Sequence, residues 1–151
     1  MTNRLLRATL ALAFVAALSF IPKLHAETPE EQAVLAPLQG VFDGIAKHDK
    51  SMVRQNLLPG GTATLIRNSQ VVQLHFDAFV DRLPSGTQKL EERIHDPLIR
   101  IDNDIAVIWA PYEFLLEGKL DHCGTDLVHL VRRDGRWLIA AIGDNSRSCK
   151  P

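Results

Sequence analysis

Asp126 and His122 are the residues of this 151-residue chain best suited to acid–base chemistry. Both are even-numbered, so their side chains point to one face if they lie on a regular strand. Apolar residues occupy the alternate positions after Asp126, and a carboxylate in such surroundings has a raised pKa, which suits a general base. His122 or Tyr112 could donate the matching proton. The structural alternative is a solvated Asp126, or one paired with Arg147 near the sheet end.

The His and Asp residues of this strand do not form a metal site. His129 is odd-numbered and points away from the face shared by His122 and Asp126, so the three cannot hold one metal ion. The sequence also contains no Ser-His-Asp order, phosphate loop, dinucleotide fingerprint or zinc motif. We therefore predict no metal site and no cofactor. His129 lies in an apolar strand and is expected in the core or in a dimer interface, and His122 could equally be structural.

Aromatic residues of the last third could line a ligand site. Trp109, Tyr112 and Trp137 could stack on a flat molecule such as a heteroaromatic ring, with Asp126 supplying a polar contact. Aromatic side chains in a sheet also commonly form an ordinary core. The sequence leaves both interpretations open.

The elements that must position these residues begin with three predicted helices. Thr28 can cap the first helix, Pro29 suits its first position, and Glu31 completes a capping box. Apolar residues then recur at helical spacing to about Ala46. Two shorter helices are expected after it, one capped by Asp49 and running through residue 57, the other covering residues 76–83.

Strands are predicted for the rest of the chain, most of them in one long antiparallel meander. Pro111 cannot donate to the ladder, so a bulge is expected there. Helices followed by a curled antiparallel sheet make an α+β fold. The predicted strands cover residues 62–67 and 70–74, which form a hairpin, and then 88–95, 98–101, 105–116, 120–132 and 136–143.

A two-residue turn at Asp134-Gly135 fixes the register of the last hairpin. If Arg133 pairs with Arg136, Asp126 lies opposite Gly143. Both faces of this hairpin are then largely apolar, whereas a half-exposed sheet should have one polar face. The helices can cover one face, so we predict that a second copy of the chain covers the other, as a homodimer.

The two cysteines lie near each other in this register. Cys123 falls opposite Ser146, three positions before Cys149, and a turn or bulge in the tail would join the sulfur atoms. Exported proteins meet an oxidising compartment, which favours a disulfide. We predict a Cys123–Cys149 disulfide that pins the tail and stabilises the fold by about 2–4 kcal/mol.

The first 26 residues have the pattern of a secretory signal peptide. Arg4 and Arg7 precede an apolar run over 8–21, and cleavage is expected after Ala26. We predict a mature domain at 27–151, a periplasmic or secreted location, and no stable membrane anchor after cleavage. Loss of Arg4, Arg7 and Lys23 leaves 14 basic and 18 acidic residues without a basic stripe. Nucleic acid and anionic membrane surfaces are therefore not expected partners.

Several segments resemble one known superfamily. Three short helices before a long curved meander resemble the nuclear transport factor 2-like (NTF2-like) superfamily, a cone-shaped fold that includes ketosteroid isomerase, polyketide cyclases and SnoaL-like proteins. A bacterial subgroup labelled "putative lumazine-binding" is the more specific resemblance, and it covers essentially the whole mature chain. The motifs that carry it are Trp109-Ala110-Pro111-Tyr112, His122-Cys123-Gly124, Gly135-Arg136-Trp137 and Asp144 to Cys149.

The resemblance implies a cone-shaped pocket but not a reaction, because members include enzymes and non-catalytic modules. Isomerases of the superfamily place a Tyr on the first helix, where this chain offers Phe42 and Asp43. We therefore predict a domain that binds a small hydrophobic or aromatic molecule. The first alternative is a cofactor-free acid–base enzyme with Asp126 as base, assisted by His122 or Tyr112, and the second is a protein-interaction module.

Overall fold

The computed structural model describes residues 27–149, so the predicted signal peptide at 1–26 lies outside the described residues. Three helices pack on one face of a curved seven-stranded sheet, which confirms the predicted α+β fold. In the described part of the chain no helix is long and apolar enough to cross a membrane. The elements are α1 Pro29–Ala46, α2 Lys50–Arg54, β1 Leu57–Arg67, β2 Gln70–His75, α3 Phe76–Asp81, β3 Leu90–Ile94, β4 Leu98–Asp102, β5 Ile105–Leu116, β6 Lys119–Arg133 and β7 Arg136–Ser146.

Helix α1 begins where the sequence predicts it. The Thr28 hydroxyl oxygen accepts a hydrogen bond from the Glu31 amide at 3.2 Å, and a Glu31 carboxylate oxygen accepts one from the Thr28 amide at 2.8 Å. This capping box satisfies two amides that the helix itself leaves unpaired. One face of α1 then packs into the core through Val34, Leu38 and Val41. The ends of α2 and α3 fall short of the predicted ends, at residues 54 and 81.

The sheet contains one parallel pair that the predicted antiparallel meander omits. Strand order is β2-β1-β7-β6-β5-β3, and β4 also pairs with β5. Strand β1 runs parallel to β7, with Leu65 opposite Asp144 and Arg67 opposite Ser146, whereas every other pair is antiparallel. A hairpin turn determines only the pairing of the two strands that it joins. The contact between the first strand and the last therefore cannot be predicted from a local sequence signal.

The predicted register of β6 and β7 is correct near the turn and wrong beyond it. Arg133 pairs with Arg136 and Leu130 with Ile139, as expected. Strand β7 then contains one extra residue, Ala140, and each later pair shifts by one position. Asp126 consequently lies opposite Asp144 rather than Gly143. The bulge therefore brings two carboxylates to neighbouring positions.

The expected bulge at Pro111 is absent. Pro111 pairs regularly with Thr125 on β6, and its carbonyl oxygen accepts a hydrogen bond from the His95 amide at 2.8 Å. In an antiparallel strand the nitrogen and the carbonyl group of one residue point to the same neighbouring strand. The nitrogen of Pro111 therefore faces the segment that follows β3, and its missing N–H removes no hydrogen bond to β6. The irregularity in β5 and β6 lies instead between Phe114 and Leu115.

The predicted disulfide is present. The Cys123 and Cys149 sulfur atoms lie 2.03 Å apart. Cys123 pairs with Arg147, one position beyond the predicted Ser146, through two backbone hydrogen bonds of 3.0 and 2.8 Å. The bulge at Ala140 accounts for this one-residue difference, and the disulfide holds the tail against the end of β6.

Candidate functional site

A cavity of about 290 Å³ lies between the concave face of the sheet and helices α1 and α3. Its walls are mainly apolar, and its polar side chains come from strands β1, β3, β5, β6 and β7. The strand residues that line it lie at alternate positions, whose side chains point toward the helices. The apolar lining residues are Leu38, Val41, Phe42, Ile45, Leu65, Phe79, Leu83, Pro84, Leu90, Phe114 and Ile142, and the polar ones are Arg67, Glu92, Tyr112, His122, Asp126 and Asp144.

Two carboxyl groups, Glu92 and Asp126, are hydrogen-bonded to each other at the polar end of the cavity. Removal from water, together with the charge of the nearby Asp144, raises the pKa of Asp126 to about 7. Burial also raises the pKa of Glu92 well above its usual range, with the charge of Asp126 adding to the effect. A hydrogen bond between two carboxyl groups requires a proton, so the pair still holds one when the Asp126 carboxyl group is ionised. We call Glu92 and Asp126 the acid pair.

Asp144 is held by two other cavity residues. Its Oδ1 accepts a hydrogen bond from the Tyr112 hydroxyl at 2.9 Å, and its Oδ2 forms an ion pair with the Arg67 guanidinium. Burial and the neighbouring Asp144 carboxylate raise the pKa of Tyr112 well above its usual range. Tyr112 therefore remains a neutral donor, and its proton is committed to Asp144.

Gly124 makes the position of Tyr112 possible. It lies opposite Tyr112 in the β5–β6 pair, and a Cβ atom built on it would be 2.3 Å from two ring carbons of Tyr112. The ring thus lies flat over the bare backbone of β6, which allows its hydroxyl to reach Asp144 on β7. A side chain at position 124 would occupy the same space.

His122 lines the cavity next to the aromatic residues. Its ring stacks on Phe114 with centroids 4.7 Å apart and meets Tyr112 edge-on at 5.8 Å. Its Nδ1 lies 2.8 Å from a carboxylate oxygen of Asp121. A carboxylate can only accept, so Nδ1 carries the proton and Nε2 is an acceptor in the neutral ring.

Three sequence-predicted site residues, Asp126, His122 and Tyr112, line this one cavity, and two do not. Trp109 is 50 % exposed on the outer face of the sheet, because odd-numbered residues of β5 point away from the helices. Trp137 is buried against α1, where its indole N–H donates to Glu30 at 3.1 Å and Arg132 stacks on its ring. His129 is exposed on the outer face, so its expected place in the core is wrong.

Two polar residues of the site, Glu92 and Arg67, were not identified by the sequence analysis. Glu92 lies in a charged run, but the apolar Leu90 and Ile94 lie two positions before and after it. In a strand the three side chains share one face, which indicates that Glu92 points inward. Arg67 and Asp144 meet only through the parallel β1–β7 pair. The pairing of Asp126 with Arg147, which the sequence left open, does not form, because Arg147 bonds Asn145 instead.

Solved structures similar to this one share its fold at low sequence identity. An NTF2-like protein of unknown function from Shewanella baltica is 15 % identical over 80 % of this chain and 95 % of its own, with a TM-score of 0.63. An NTF2-like protein from Cytophaga hutchinsonii is 18 % identical over 80 % and 100 %, with a TM-score of 0.67. A protein from Novosphingobium aromaticivorans described as "Putative Scytalone Dehydratase" is 12 % identical over 78 % and 84 %, with a TM-score of 0.66. These matches establish the NTF2-like fold.

Sequence comparison gives a more specific result. No curated protein matches the chain. Residues 29–142, which span α1 to most of β7, match the profile of the family described as "Putative lumazine-binding". Every residue that lines the cavity, except Asp144, falls within that match. The chain therefore belongs to the "Putative lumazine-binding" family and has the fold of the NTF2-like superfamily.

Proposed function

We propose that this domain binds a small, mainly apolar or flat aromatic molecule in the cavity, with a polar group of the ligand against the acid pair. One observation carries the proposal: an open cavity of about 290 Å³ has apolar walls and a few polar groups gathered at one end. Ligand sites of proteins have this composition, and this volume suits a molecule smaller than most drugs. The family description supports a flat heteroaromatic ligand such as lumazine.

A fluorescent probe of apolar cavities tests this proposal. N-phenyl-1-naphthylamine is neutral and aromatic, and its emission rises when it leaves water. We expect saturable binding that lumazine displaces. Leu65→Trp should weaken probe binding at least about tenfold because Leu65 lines the cavity, which the indole would fill.

The neighbouring residue provides a matched control. Ile66 is 39 % exposed and points to the opposite face of β1, so Ile66→Trp adds the same indole outside the cavity. Its probe affinity should equal that of the unchanged protein. Equal affinity in all three proteins would mean that the probe binds elsewhere and would contradict the proposal.

Acid–base catalysis is the second candidate, favoured by one observation. The pKa of Asp126, raised to about 7 by burial, suits a base that takes a proton from a carbon next to a carbonyl group. The enolate oxygen formed in that step needs a hydrogen-bond donor. The Tyr112 hydroxyl is committed to Asp144 and the Glu92 proton to Asp126. Binding is therefore the better-supported function.

Exchange of the acidic protons of 2-tetralone with D2O, followed by proton NMR, tests this second candidate. The Asp126 carboxylate would take a proton from the carbon next to the carbonyl, and the enolate would take a deuteron back from solvent. The protein-dependent rate should rise with pH to a plateau above about 7, because only the ionised carboxylate is a base. A rate unchanged in Asp126→Asn would exclude Asp126 as the base.

We further propose that two copies of the chain pack through the outer face of the sheet. Apolar side chains exposed there include Leu98, Ile105, Val107, Trp109 and Leu127, each at least 41 % exposed. An apolar patch on a soluble chain usually marks a contact surface. Trp109→Glu should convert a dimer to a monomer in analytical ultracentrifugation. Val72→Glu on β2 should not, because Val72 pairs with Leu65 and therefore lies on the opposite face of the sheet. If the unchanged protein is a monomer at micromolar concentration, the homodimer is contradicted. The exposed apolar face would then indicate a partner of another kind.

Export is the proposed location. The disulfide between Cys123 and Cys149 is compatible with an oxidising compartment. The intact mass of protein isolated from the periplasm or medium should correspond to cleavage after Ala26. A mass that retains residues 1–26 would contradict signal cleavage.

A further inference from the structure

We propose that the cavity selects ligands that donate hydrogen bonds, either neutral N–H compounds or cations such as protonated amidines, and rejects carboxylates. This inference rests on the proposed function, because it names the chemical class that the same cavity takes. It follows from a count of which hydrogen-bonding groups at the polar end of the cavity already have partners.

Most hydrogen-bond donors at the polar end of the cavity are committed to protein oxygens. The Tyr112 hydroxyl donates to Asp144, and the proton of the acid pair lies between Glu92 and Asp126. One terminal nitrogen of Arg67 pairs with the Asp144 carboxylate, and the other donates to the backbone oxygens of Ile66 and Asp144 at 3.1 and 3.3 Å. These bonds use three of the five guanidinium N–H groups, and the charge of Arg67 is already paired with that of Asp144. A ligand acceptor would have to compete with these partners for the other donors.

The acceptors, in contrast, retain capacity. Asp126 is only 5 % exposed and lines the cavity, and among residues 27–149 only Glu92 hydrogen-bonds its carboxyl group. A carboxylate can accept about four hydrogen bonds, so most of this capacity is unused. Glu92 and His122 line the same cavity and each has one further acceptor atom, the unprotonated side-chain oxygen of Glu92 and Nε2 of the neutral His122 ring. A buried carboxylate with unused acceptor sites is unfavourable unless a donor fills them.

Charge acts in the same direction. The polar end contains the carboxyl groups of Glu92, Asp126 and Asp144 against one guanidinium, Arg67. With one proton shared by the acid pair, a net negative charge remains. A ligand carboxylate would meet this charge in an enclosed space, where like charges repel more strongly than in water. A cation would be attracted by this negative charge, and a neutral donor would not be repelled by it.

Three bicyclic compounds of one shape test the inference. 2-Aminoquinoline carries donors, quinoline carries none, and quinoline-2-carboxylate is an anion. In calorimetric titrations at pH 7 we expect 2-aminoquinoline to bind at least about tenfold more tightly than quinoline, as for a charge-assisted hydrogen bond. The carboxylate should be the weakest of the three.

Variants assign the selectivity to the acid pair. Asp126→Asn should remove the preference for 2-aminoquinoline over quinoline, and its circular dichroism and unfolding in urea should report an intact fold. Asp77→Asn is the control, because Asp77 is exposed on α3 and paired with Arg54. It should retain full selectivity.

The outcomes separate this inference from the proposed function. Equal binding of the three compounds, or tightest binding of the carboxylate, would overturn the selection of donors while leaving a working cavity. Failure of all three compounds and of N-phenyl-1-naphthylamine to bind would overturn both. Selectivity retained in Asp126→Asn would show that the acid pair is not its source.

Discussion

Replacement of Gly124 by alanine tests the contact that orients the polar end of the cavity. A Cβ at position 124 would lie 2.3 Å from Cε1 and Cζ of Tyr112 and 2.4 Å from its hydroxyl oxygen. Atoms in van der Waals contact stay about 3.5–4.0 Å apart, so the ring must move. Movement of the ring would break the 2.9 Å hydrogen bond from Tyr112 to Asp144.

The size of the effect follows from these two losses. Overpacking of a close-packed site costs about 1–3 kcal/mol. Loss of a hydrogen bond to a charged group costs about 1.5–3 kcal/mol. We therefore expect Gly124→Ala to lower the free energy of unfolding, measured in urea, by about 2.5–6 kcal/mol. Tyr112→Phe removes the hydrogen bond without the clash and should cost only about 1.5–3 kcal/mol.

A double-mutant cycle isolates the contact. In a Tyr112→Ala background the space above β6 is empty, so Gly124→Ala should cost less than about 1 kcal/mol there, and the difference between backgrounds is the coupling energy. An equal loss in both backgrounds would refute the argument that the ring occupies the space of a side chain. Unchanged stability of Gly124→Ala in the otherwise native protein would refute it as well.

The double variant Cys123→Ser/Cys149→Ser should lower the free energy of unfolding by about 2–4 kcal/mol without reductant; a reductant should then have no further effect, and stability equal to the oxidised protein would contradict this. Because burial raises the pKa of Asp126 from 3.8 to about 7, the folded state binds its proton more tightly than the unfolded chain. The free energy of unfolding should therefore fall as pH rises through this range, by up to about 1.4 kcal/mol per pH unit, and Asp126→Asn should flatten the slope. Arg67→Met removes a positive charge that lowers the pKa of Asp126, so the Asp126 carboxyl carbon should titrate at higher pH by NMR, and titration at lower pH would contradict the assigned contact.

Local signals predicted the elements well. The capping box at Thr28 and Glu31, the Asp134-Gly135 turn and the apolar alternation of β5 each depend on residues close in sequence. The register counted from the turn is correct as far as Leu130, and even the shifted register leaves Cys149 within reach of Cys123. These features follow from backbone geometry that a few neighbouring residues determine.

The composition of the site depended on contacts that local signals do not contain. One inserted residue, Ala140, decides that Asp144 rather than Gly143 faces Asp126, and a bulge of this kind is set by packing. Arg67 enters through the pairing of the first and last strands. The outward position of Trp109, in contrast, could have been predicted from parity, because the residues on either side of it, Ile108 and Ala110, belong to the inward-facing apolar series of β5.

The parallel pairing of β1 and β7 also has a kinetic consequence. Arg67 and Asp144 are separated by 77 positions in sequence, and contacts this distant make folding slow because a long loop must close before they contribute. The ion pair between Arg67 and Asp144 forms only when the final strand joins the first. A chain interrupted before β7 would therefore have helices and hairpins but no complete site, so completion of the sheet and completion of the site are a single folding event.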